Sequence, residues 1–479
     1  MSAAAACVVL GLASGVLAGS VLPTPISADP YTNPESQHKT QVEPDSFGHG
    51  STVVSAFQTG RVFGGGSSNI GWATTTNAGR TWTTGMLPGT TVNQGGPWSF
   101  ISDPSVAYDP EHDVWMISTL AFGLAASPFG APSAILTSRS TDGGLTWQSP
   151  VTTSPGPSSF YDKNWIACDT WPASPHYGNC YTEWDDSGLG NRILMSTSTD
   201  GGLTWSPAVS PGDLPSGLGG QPVVQPNGTV HVPYTANYSA VRTFRSSDGG
   251  LTWTTSVQVA TQTRHAVAGG LRSPPLPSAE VDGSGKVYVV WHDCQFRTSC
   301  TSNDIVMSTS TDGATWTAKT RIPIDPVNST VDHFIPGIGA DRTSFGSSAR
   351  LALTYYYYPM SSCSVSTCDL TTGFVSSLDG GATWSTPKQV SGPMKLSWIA
   401  DTSQGRMVGD YISTSFAGGY AFPVFTIAKP PTAGVFSERT AAARLDVNAP
   451  PPTTTRTRRE RVRYRPHNRP ADDGFPTAN

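Results

Sequence analysis

A short motif recurs along this chain and constrains the fold more than any other feature of the sequence. Its consensus is Ser-x-Asp-Gly-Gly-x-Thr-Trp, and a sixth copy carries Asn in the Asp position. The copies are SRSTDGGLTW (Ser138–Trp147), STSTDGGLTW (Ser196–Trp205), RSSDGGLTW (Arg245–Trp253), STSTDGATW (Ser308–Trp316), SSLDGGATW (Ser376–Trp384) and the degenerate TTTNAGRTW (Thr74–Trp82). Their mean spacing is about 60 residues, which is longer than one hairpin and suits one four-stranded propeller blade.

Each residue of the motif has a structural reason. Asp and Asn accept hydrogen bonds from turn N–H groups, and glycine adopts positive φ without a Cβ penalty. The Trp that follows buries a large apolar surface at the start of the next strand. The motif therefore predicts a hairpin turn between two outer strands, and we favour that interpretation over a set of six catalytic aspartates.

A second repeat lies 20 to 40 residues before five of the motifs, where a short strand ends at Asp or Asn. Its copies are Asp103–Asp109, Lys163–Asp169, Gln221–Asn227, Leu276–Asp282 and Ile335–Asp341. Similar segments, STVVSAF at Ser51–Phe57 and GDYISTSFA at Gly409–Ala417, begin a first and a last unit. Together the repeats predict an all-β propeller of six or seven four-stranded blades, with seven favoured. The last unit would be completed by the N-terminal segment near Lys39–Val42.

Composition agrees with this fold and excludes others. The 479 residues include 50 Gly and 40 Pro, and only 13% are charged. Such a chain is neither mainly helical nor a coiled coil, and its 14 Trp argue against general disorder.

Four segments are expected along the chain. Residues 1–28 are predicted to be a signal peptide, with cleavage near Ala18 or Ala28. Because this segment lacks the positively charged residues with which a signal peptide normally begins, an uncleaved membrane anchor is the alternative. Residues 29–44 form an N-terminal segment, 45–447 the propeller, and 448–479 a disordered basic tail rich in Pro, Thr and Arg. We expect a secreted, extracellular and monomeric protein, with association with the cell envelope as an alternative. Membrane insertion is expected only if residues 1–28 stay uncleaved.

Six of the seven cysteines fall in three close pairs. The pairs are Cys168/Cys180, Cys294/Cys300 and Cys363/Cys368, and Cys7 lies in the predicted signal peptide. Their proximity predicts three local disulfides, which fit an oxidising compartment, with unpaired core thiols as the alternative. Because the chain has no CxxC pair, no structural zinc is expected.

The Asp motif at this period resembles the Asp-box, or BNR, repeat of the sialidase superfamily, over roughly residues 45–445. Asp162–Asp169 (DKNWIACD) and Gly409–Tyr411 (GDY) are similar to a bacterial branch labelled exo-sialidase-like. The resemblance implies a secreted glycoside hydrolase that acts on glycans at the propeller mouth. The alternative is a non-catalytic propeller that binds glycan or protein. Neither interpretation requires a cofactor, a metal or nucleic acid.

Candidate residues lie where the inner strands and their loops meet the mouth. The two-carboxylate scheme of glycosidases points to Asp103, Asp162 and Asp410. The resemblance implies a Tyr nucleophile and an arginine clamp, for which Tyr411 and Arg264, Arg272 and Arg406 are the matching residue types. Further substrate contacts are predicted for Gln221, Lys163, Trp98 and Trp398. The chain departs from a strict sialidase, because it lacks the first-blade Arg-Ile-Pro motif, to which Arg61-Val62-Phe63 is the nearest sequence, and has few Glu.

Overall fold

The computed structural model describes residues 22–124, 132–156 and 159–448. The predicted signal-peptide residues before Leu22 and the predicted basic tail from residue 449 onward lie outside these ranges. Nearly all regular structure in them is β-strand, and the helices are single 3₁₀ turns. No helix in the described ranges is long and apolar enough to cross a membrane.

The strands follow one another in antiparallel units. A short strand, β1 (Thr24–Pro25), comes first. The first unit is β2 (Gln41–His49), β3 (Thr52–Arg61), β4 (Ser67–Thr75) and β5 (Thr83–Met86). The second is β6 (Trp98–Asp109), β7 (Val114–Leu124), β8 (Ser133–Ser140) and β9 (Val151–Gly156). The third is β10 (Tyr161–Cys168), β11 (Cys180–Asp186) and β12 (Arg192–Ser198).

The remaining units have the same up-and-down order. The fourth is β13 (Val223–Val224), β14 (Val230–Ala236), β15 (Ala240–Ser246) and β16 (Val257–Thr261). The fifth is β17 (Ser278–Val281), β18 (Val287–Asp293), β19 (Asp304–Ser310) and β20 (Thr320–Arg321). The sixth is β21 (Asp332–Ala340), β22 (Leu351–Tyr358), β23 (Asp369–Ser377) and β24 (Lys388–Lys395). The last is β25 (Ser413–Ala417), β26 (Tyr420–Ala428) and β27 (Glu438–Ala442).

Within the described ranges, six 3₁₀ turns lie in the connections. They are Val92–Gln94, Ser187–Leu189, Ala268–Gly270, Thr298–Cys300, Gly346–Ser348 and Leu396–Trp398. The first two units share one eight-stranded sheet, but among the described strands Ser67 and Ile101 are the one residue pair that joins its two halves. The other units are separate sheets.

The first strands of successive units lie side by side, and the first strand of the last unit also contacts β2, which makes the fold an all-β propeller. Side chains on one inner strand, or just before it, accept hydrogen bonds from backbone N–H groups of the next. These bonds are Val106 N–H to Asp45 (2.7 Å), Ile166 N–H to Ser105 (3.0 Å), Ala279 N–H to Gln221 (2.8 Å) and Ile338 N–H to Ser278 (3.2 Å). The hydroxyls of Ser46 and Ser413 lie 2.9 Å apart, so the last inner strand also meets the first.

One copy of the repeated motif lies between β8 and β9. In the second unit, Asp142 Oδ1 accepts N–H groups of Leu145 and Thr146 at 3.0 and 2.9 Å, and Ser140 Oγ accepts Gly144 N–H at 3.0 Å. Gly144 has φ of 81°, and a Cβ there would lie 2.6 Å from Val54 in the first unit. The motif Trp147 packs against Trp72 of the same neighbour. Each such turn therefore links its unit to the preceding one.

The N-terminal strand completes the last unit. Thr24 and Pro25 pair with Ala442 and Ala441 of β27, which gives the order β1-β27-β26-β25. This strand lies before the predicted closing segment 29–44, from which Thr40 forms a parallel bridge with Glu438. The first unit also begins earlier than the sequence indicated, at Gln41 of β2.

All three predicted disulfides are confirmed: Cys168–Cys180, Cys294–Cys300 and Cys363–Cys368. Cys168–Cys180 links β10 to β11, and the other two close short loops.

Candidate functional site

Irregular entries of the inner strands build the site. Register shifts interrupt β2, β6, β10 and β21 at equivalent places, next to Glu43, Asp103, Lys163 and Ile335. These four residues have φ between 48° and 52°. Such bulges free a residue from strand pairing and redirect its side chain. Three of the four are followed by Pro, which is tolerated at a bulge because it donates no ladder hydrogen bond.

Lys163 is the centre of the site. Its ammonium lies 2.6 Å from Asp410 Oδ2, 3.1 Å from Asp103 Oδ1 and 3.4 Å from Glu43 Oε1. Burial opposes its charged form, but the three carboxylates outweigh burial and raise the pKa of Lys163 well above its usual range. Lys163 is therefore a fixed cation that gathers carboxylates from different units.

Asp410 is held on both oxygens. Arg272 Nε donates to its Oδ1 at 2.7 Å, and Arg272 Nη2 donates to its Oδ2. Burial would raise the pKa of Asp410, but Arg272 and Lys163 outweigh burial and lower it below its usual range. Asp410 is an ionised carboxylate throughout the physiological pH range.

Glu43 is a site residue that the sequence reasoning missed. Its carboxylate accepts the backbone N–H of Asp410 at 3.0 Å and the side-chain amide of Gln58. The sequence does contain a signal for it, because Glu43-Pro44-Asp45 matches Asp103-Pro104-Ser105 of the second repeat. The predicted first unit began at Ser51, after this segment.

A cleft of about 450 Å³ opens beside this cluster. The carboxyl groups among its lining residues belong to Asp162 and Asp410. Burial raises the pKa of Asp162, and Asp410 adds to the rise, although Lys163 and Arg272 oppose it. The two acids of the cleft thus have pKa values displaced in opposite directions.

The far wall of the cleft is basic and aromatic. The Arg264 guanidinium lies 5.0 Å from the ring centre of Tyr238, a cation–π contact. His265 Nδ1 lies 3.0 Å from the carbonyl of Cys300, so the Cys294–Cys300 loop supports this wall. The sequence reasoning missed Tyr238, although Asn237 and Tyr238 form the tight β14–β15 turn with φ of 50° and 52°. Arg264 itself lines the cleft.

Other predicted residues lie elsewhere. Tyr411 is 8% exposed, and its hydroxyl donates to the carbonyl of Pro104 at 3.2 Å. Burial and the Glu43 charge raise the pKa of Tyr411 well above its usual range. Gln221 is engaged with Ala279 N–H. Neither Asp103, Arg406, Trp98 nor Trp398 lines the described part of the cleft.

One cluster has the ligand types of a metal site. Ligand atoms of Asp304, Asp325 and His333 lie within 4.8 Å of one another. Two arginines already neutralise it: Arg297 binds Asp304 and Asp325, at 2.5 and 2.8 Å, and Arg321 contacts the same two carboxylates. This cluster is therefore a compensated ion-pair network.

No protein-family model and no curated protein matches the chain. Solved structures are similar in fold. A Hadza microbial sialidase is 14% identical with a TM-score of 0.45, and the match covers 85% of this chain and 66% of that one. The NanB sialidase of Streptococcus pneumoniae is 14% identical (TM-score 0.44; 88% and 71% covered), as is an α-L-arabinofuranosidase of Fusarium graminearum (0.44; 74% and 98%).

Proposed function

We propose that this protein is a secreted glycoside hydrolase that acts on glycans in the cleft beside Asp162 and Asp410. The observation that carries the proposal is the pair of carboxyl groups whose pKa values are displaced in opposite directions within one cleft. Opposite displacements suit one carboxyl group to act as an acid and the other to remain an anion, which are the two roles that glycosidic bond cleavage requires. The three disulfides agree with an extracellular location.

Asp162 is the proposed general acid. Burial raises its pKa, which favours the protonated form, and it faces the cleft, so it protonates the leaving oxygen of the glycosidic bond. Asp410 stays ionised and stabilises the positive charge that develops on the sugar ring. Lys163 and Arg272 position Asp410, while Arg264 and Tyr238 form the sugar-binding wall.

The architecture we propose has seven blades of the sialidase-like, Asp-box type. The two halves of the eight-stranded sheet then count as separate blades, because one residue pair joins them. We do not assign a Tyr nucleophile, because the Tyr411 hydroxyl is buried and donates to a backbone carbonyl. Asp103 is assigned to positioning, because it contacts Lys163 outside the cleft lining.

A non-catalytic glycan-binding propeller is the second candidate. It is favoured by the full engagement of Asp410, whose oxygens are both paired with cations. A carboxylate held in this way serves a rigid binding surface as well as it serves catalysis.

Hydrolysis of matched glycosides tests the proposal. We expect the wild-type protein to release sugar, and Asp162→Asn to lower kcat/KM by about 10² to 10⁴ for a sugar leaving group. The loss should be much smaller for a 4-methylumbelliferyl leaving group, which departs without protonation. Asp401→Asn, an exposed acid in a connecting loop outside the cleft lining, is the control with unchanged activity.

The second candidate predicts different results. Saturable binding on a glycan array, with no release from any glycoside and weaker binding by Arg264→Ala, would favour it. If Asp162→Asn lowered kcat/KM equally for the two leaving groups, Asp162 would not be the general acid.

A further inference from the structure

The basic wall of the cleft lies on a loop that has no strand pairing of its own. This cleft loop, residues 263–267, lies between β16 and the 3₁₀ turn at Ala268–Gly270. Its residues from Arg264 to Val267 line the cleft. Among the described residues, the Arg264 guanidinium contacts the Tyr238 ring and has no hydrogen-bond or ion-pair partner. The position of this cation therefore depends on the backbone of the loop.

Asn303 supplies hydrogen-bond partners for the backbone of the cleft loop. Its side-chain Oδ1 accepts the N–H of His265 at 2.7 Å, and its Nδ2 donates to the carbonyl of the same residue at 3.0 Å. Two residues of neighbouring antiparallel strands exchange the same pair of bonds through their backbones. Here one side chain takes the place of a partner strand.

Asn303 is itself fixed to the fifth and sixth units. It immediately precedes β19 and has no exposed surface. Its backbone N–H and its side-chain amide both donate to Asp332 Oδ1, at 2.7 and 2.8 Å, and its carbonyl accepts the N–H of His333 at 3.1 Å. Asp332 and His333 are the first residues of β21, the inner strand of the sixth unit. Both hydrogens of the Asn303 side chain therefore have acceptors, which fixes the orientation of the amide.

Other residue types at position 303 would not make these contacts. An aliphatic side chain leaves the N–H and the carbonyl of His265 without this partner. A carboxylate could accept the His265 N–H, but it would lie beside the Asp332 carboxylate as a second buried negative charge, which is unfavourable. The Cys294–Cys300 loop bonds a different part of the cleft loop, because Cys294 N–H donates to the carbonyl of Thr263 at 3.0 Å.

We propose that Asn303 is the positioning residue of the basic wall and sets where Arg264 and His265 meet the glycan. Asn303 is not among the residues that line the described part of the cleft, so it acts through the His265 backbone and not by contact with the sugar. The assignment of this wall to sugar binding rests on the proposed function. The attachment of the cleft loop to Asn303 does not, and it would be present equally in a binding protein.

Hydrogen exchange in the full chain, resolved to single amides by mass spectrometry, tests the attachment without a ligand. In the wild type, we expect the His265 amide to exchange much more slowly than the Arg264 amide, which donates to no described residue. Asn303→Ala should make the His265 amide exchange about tenfold faster, because loss of one hydrogen bond shifts a local opening equilibrium by about one order of magnitude. An unprotected His265 amide in the wild type overturns the proposal, even if the variant does not fold.

Asn69→Ala is the matched control. Asn69 is also fully buried, on β4, and its Nδ2 donates to the carbonyl of Leu87 at 2.8 Å, away from the cleft lining. This variant should also lose stability, but its His265 amide should exchange at the wild-type rate. Equal acceleration of His265 exchange in the two variants would indicate general loosening of the fold and would overturn the proposal.

Kinetics with a 4-methylumbelliferyl glycoside that the wild type cleaves test the effect on sugar binding. Asn303→Ala should raise KM about tenfold and change kcat less than about twofold, because the loop contributes to binding and not to the chemical step. In the Arg264→Ala background, the same change should add little, since Asn303 acts through the loop that carries Arg264. Two losses that simply multiply would overturn the positioning role.

The two experiments separate this proposal from the proposed function. If the wild type binds glycans on an array without cleaving any glycoside, the Kd on the array replaces KM and the same tenfold weakening is expected. If the wild type neither cleaves a glycoside nor binds the array, the proposed function fails, and with it the role of Asn303 toward a glycan. The exchange experiment then still decides whether Asn303 holds the cleft loop.

Discussion

At the scale of single residues, Lys163 joins distant parts of the chain. Its partners Glu43 and Asp103 lie on the first two units, and Asp410 immediately precedes the last. Burying an ion pair costs desolvation, so such a cluster is not evidence of high stability by itself. Removing the cation alone is different, because it leaves carboxylates buried without compensation.

Lys163→Met should therefore lower the free energy of unfolding by about 3–5 kcal/mol, the usual cost of breaking a buried pair. Denaturation in guanidinium chloride measures it. Lys395→Met is the matched control: its pair with Asp369 spans 2.5 Å, but the side chains are 45% and 36% exposed, so the loss should stay below about 1 kcal/mol. Equal losses in the two variants would contradict the central role of Lys163.

At the scale of elements, the repeated turn was predictable because its bonds are local. Asp142 bonds residues within four positions of itself, so sequence alone contains the whole interaction. The entries of β6 and β10 were predictable from the second repeat, whose copies begin at Asp103 and Lys163. The contacts of Asp410 were not, because Lys163 and Arg272 are 247 and 138 residues away and meet it only when the ring closes. Trp98 and Trp398 are candidates by residue type alone, and residue type does not indicate whether a side chain lies in the cleft.

The turns should make stability depend on pH in the acid range. Hydrogen bonds from Thr146 and Ser140, which outweigh burial, lower the pKa of Asp142 to about 2. Its stabilising effect is therefore complete above the unfolded pKa, near 3.9, and disappears as the pH falls through about 2. Asp142→Ala should be less stable than wild type at pH 6, by about 1–2 kcal/mol, with the difference shrinking between pH 4 and 2.

Asp142→Asn is the control for charge. Asn77 occupies the same position in the degenerate copy, where its Oδ1 still accepts N–H groups of Arg80 and Thr81 at 3.0 Å. We expect Asp142→Asn to lose less stability than Asp142→Ala at pH 6. A loss in Asp142→Ala that does not change with pH would show that the carboxylate charge is unimportant.

At the scale of the whole molecule, ring closure depends on residues near the N-terminus. Ile26 is 1% exposed and packs with Phe57 and Val424, side chains of the first and last units. Ser27 Oγ accepts Thr440 N–H at 2.9 Å and donates to Gln41 at 3.0 Å. Residues 24–27 therefore fasten the last unit to the first.

This closure makes a prediction about processing and stability. Removing residues 1–28 should lower the melting temperature, because burial of Ile26 alone contributes about 1.5–3 kcal/mol, and β27 loses its partner strand. Removing residues 1–19 should leave the melting temperature unchanged. If the N-terminal segment is cleaved on export, the cut should therefore fall near Ala18 and before Thr24, which mass spectrometry of the secreted protein would establish. A mature chain that begins at Asp29 and melts as high as the longer form would show that the β1–β27 pairing is dispensable.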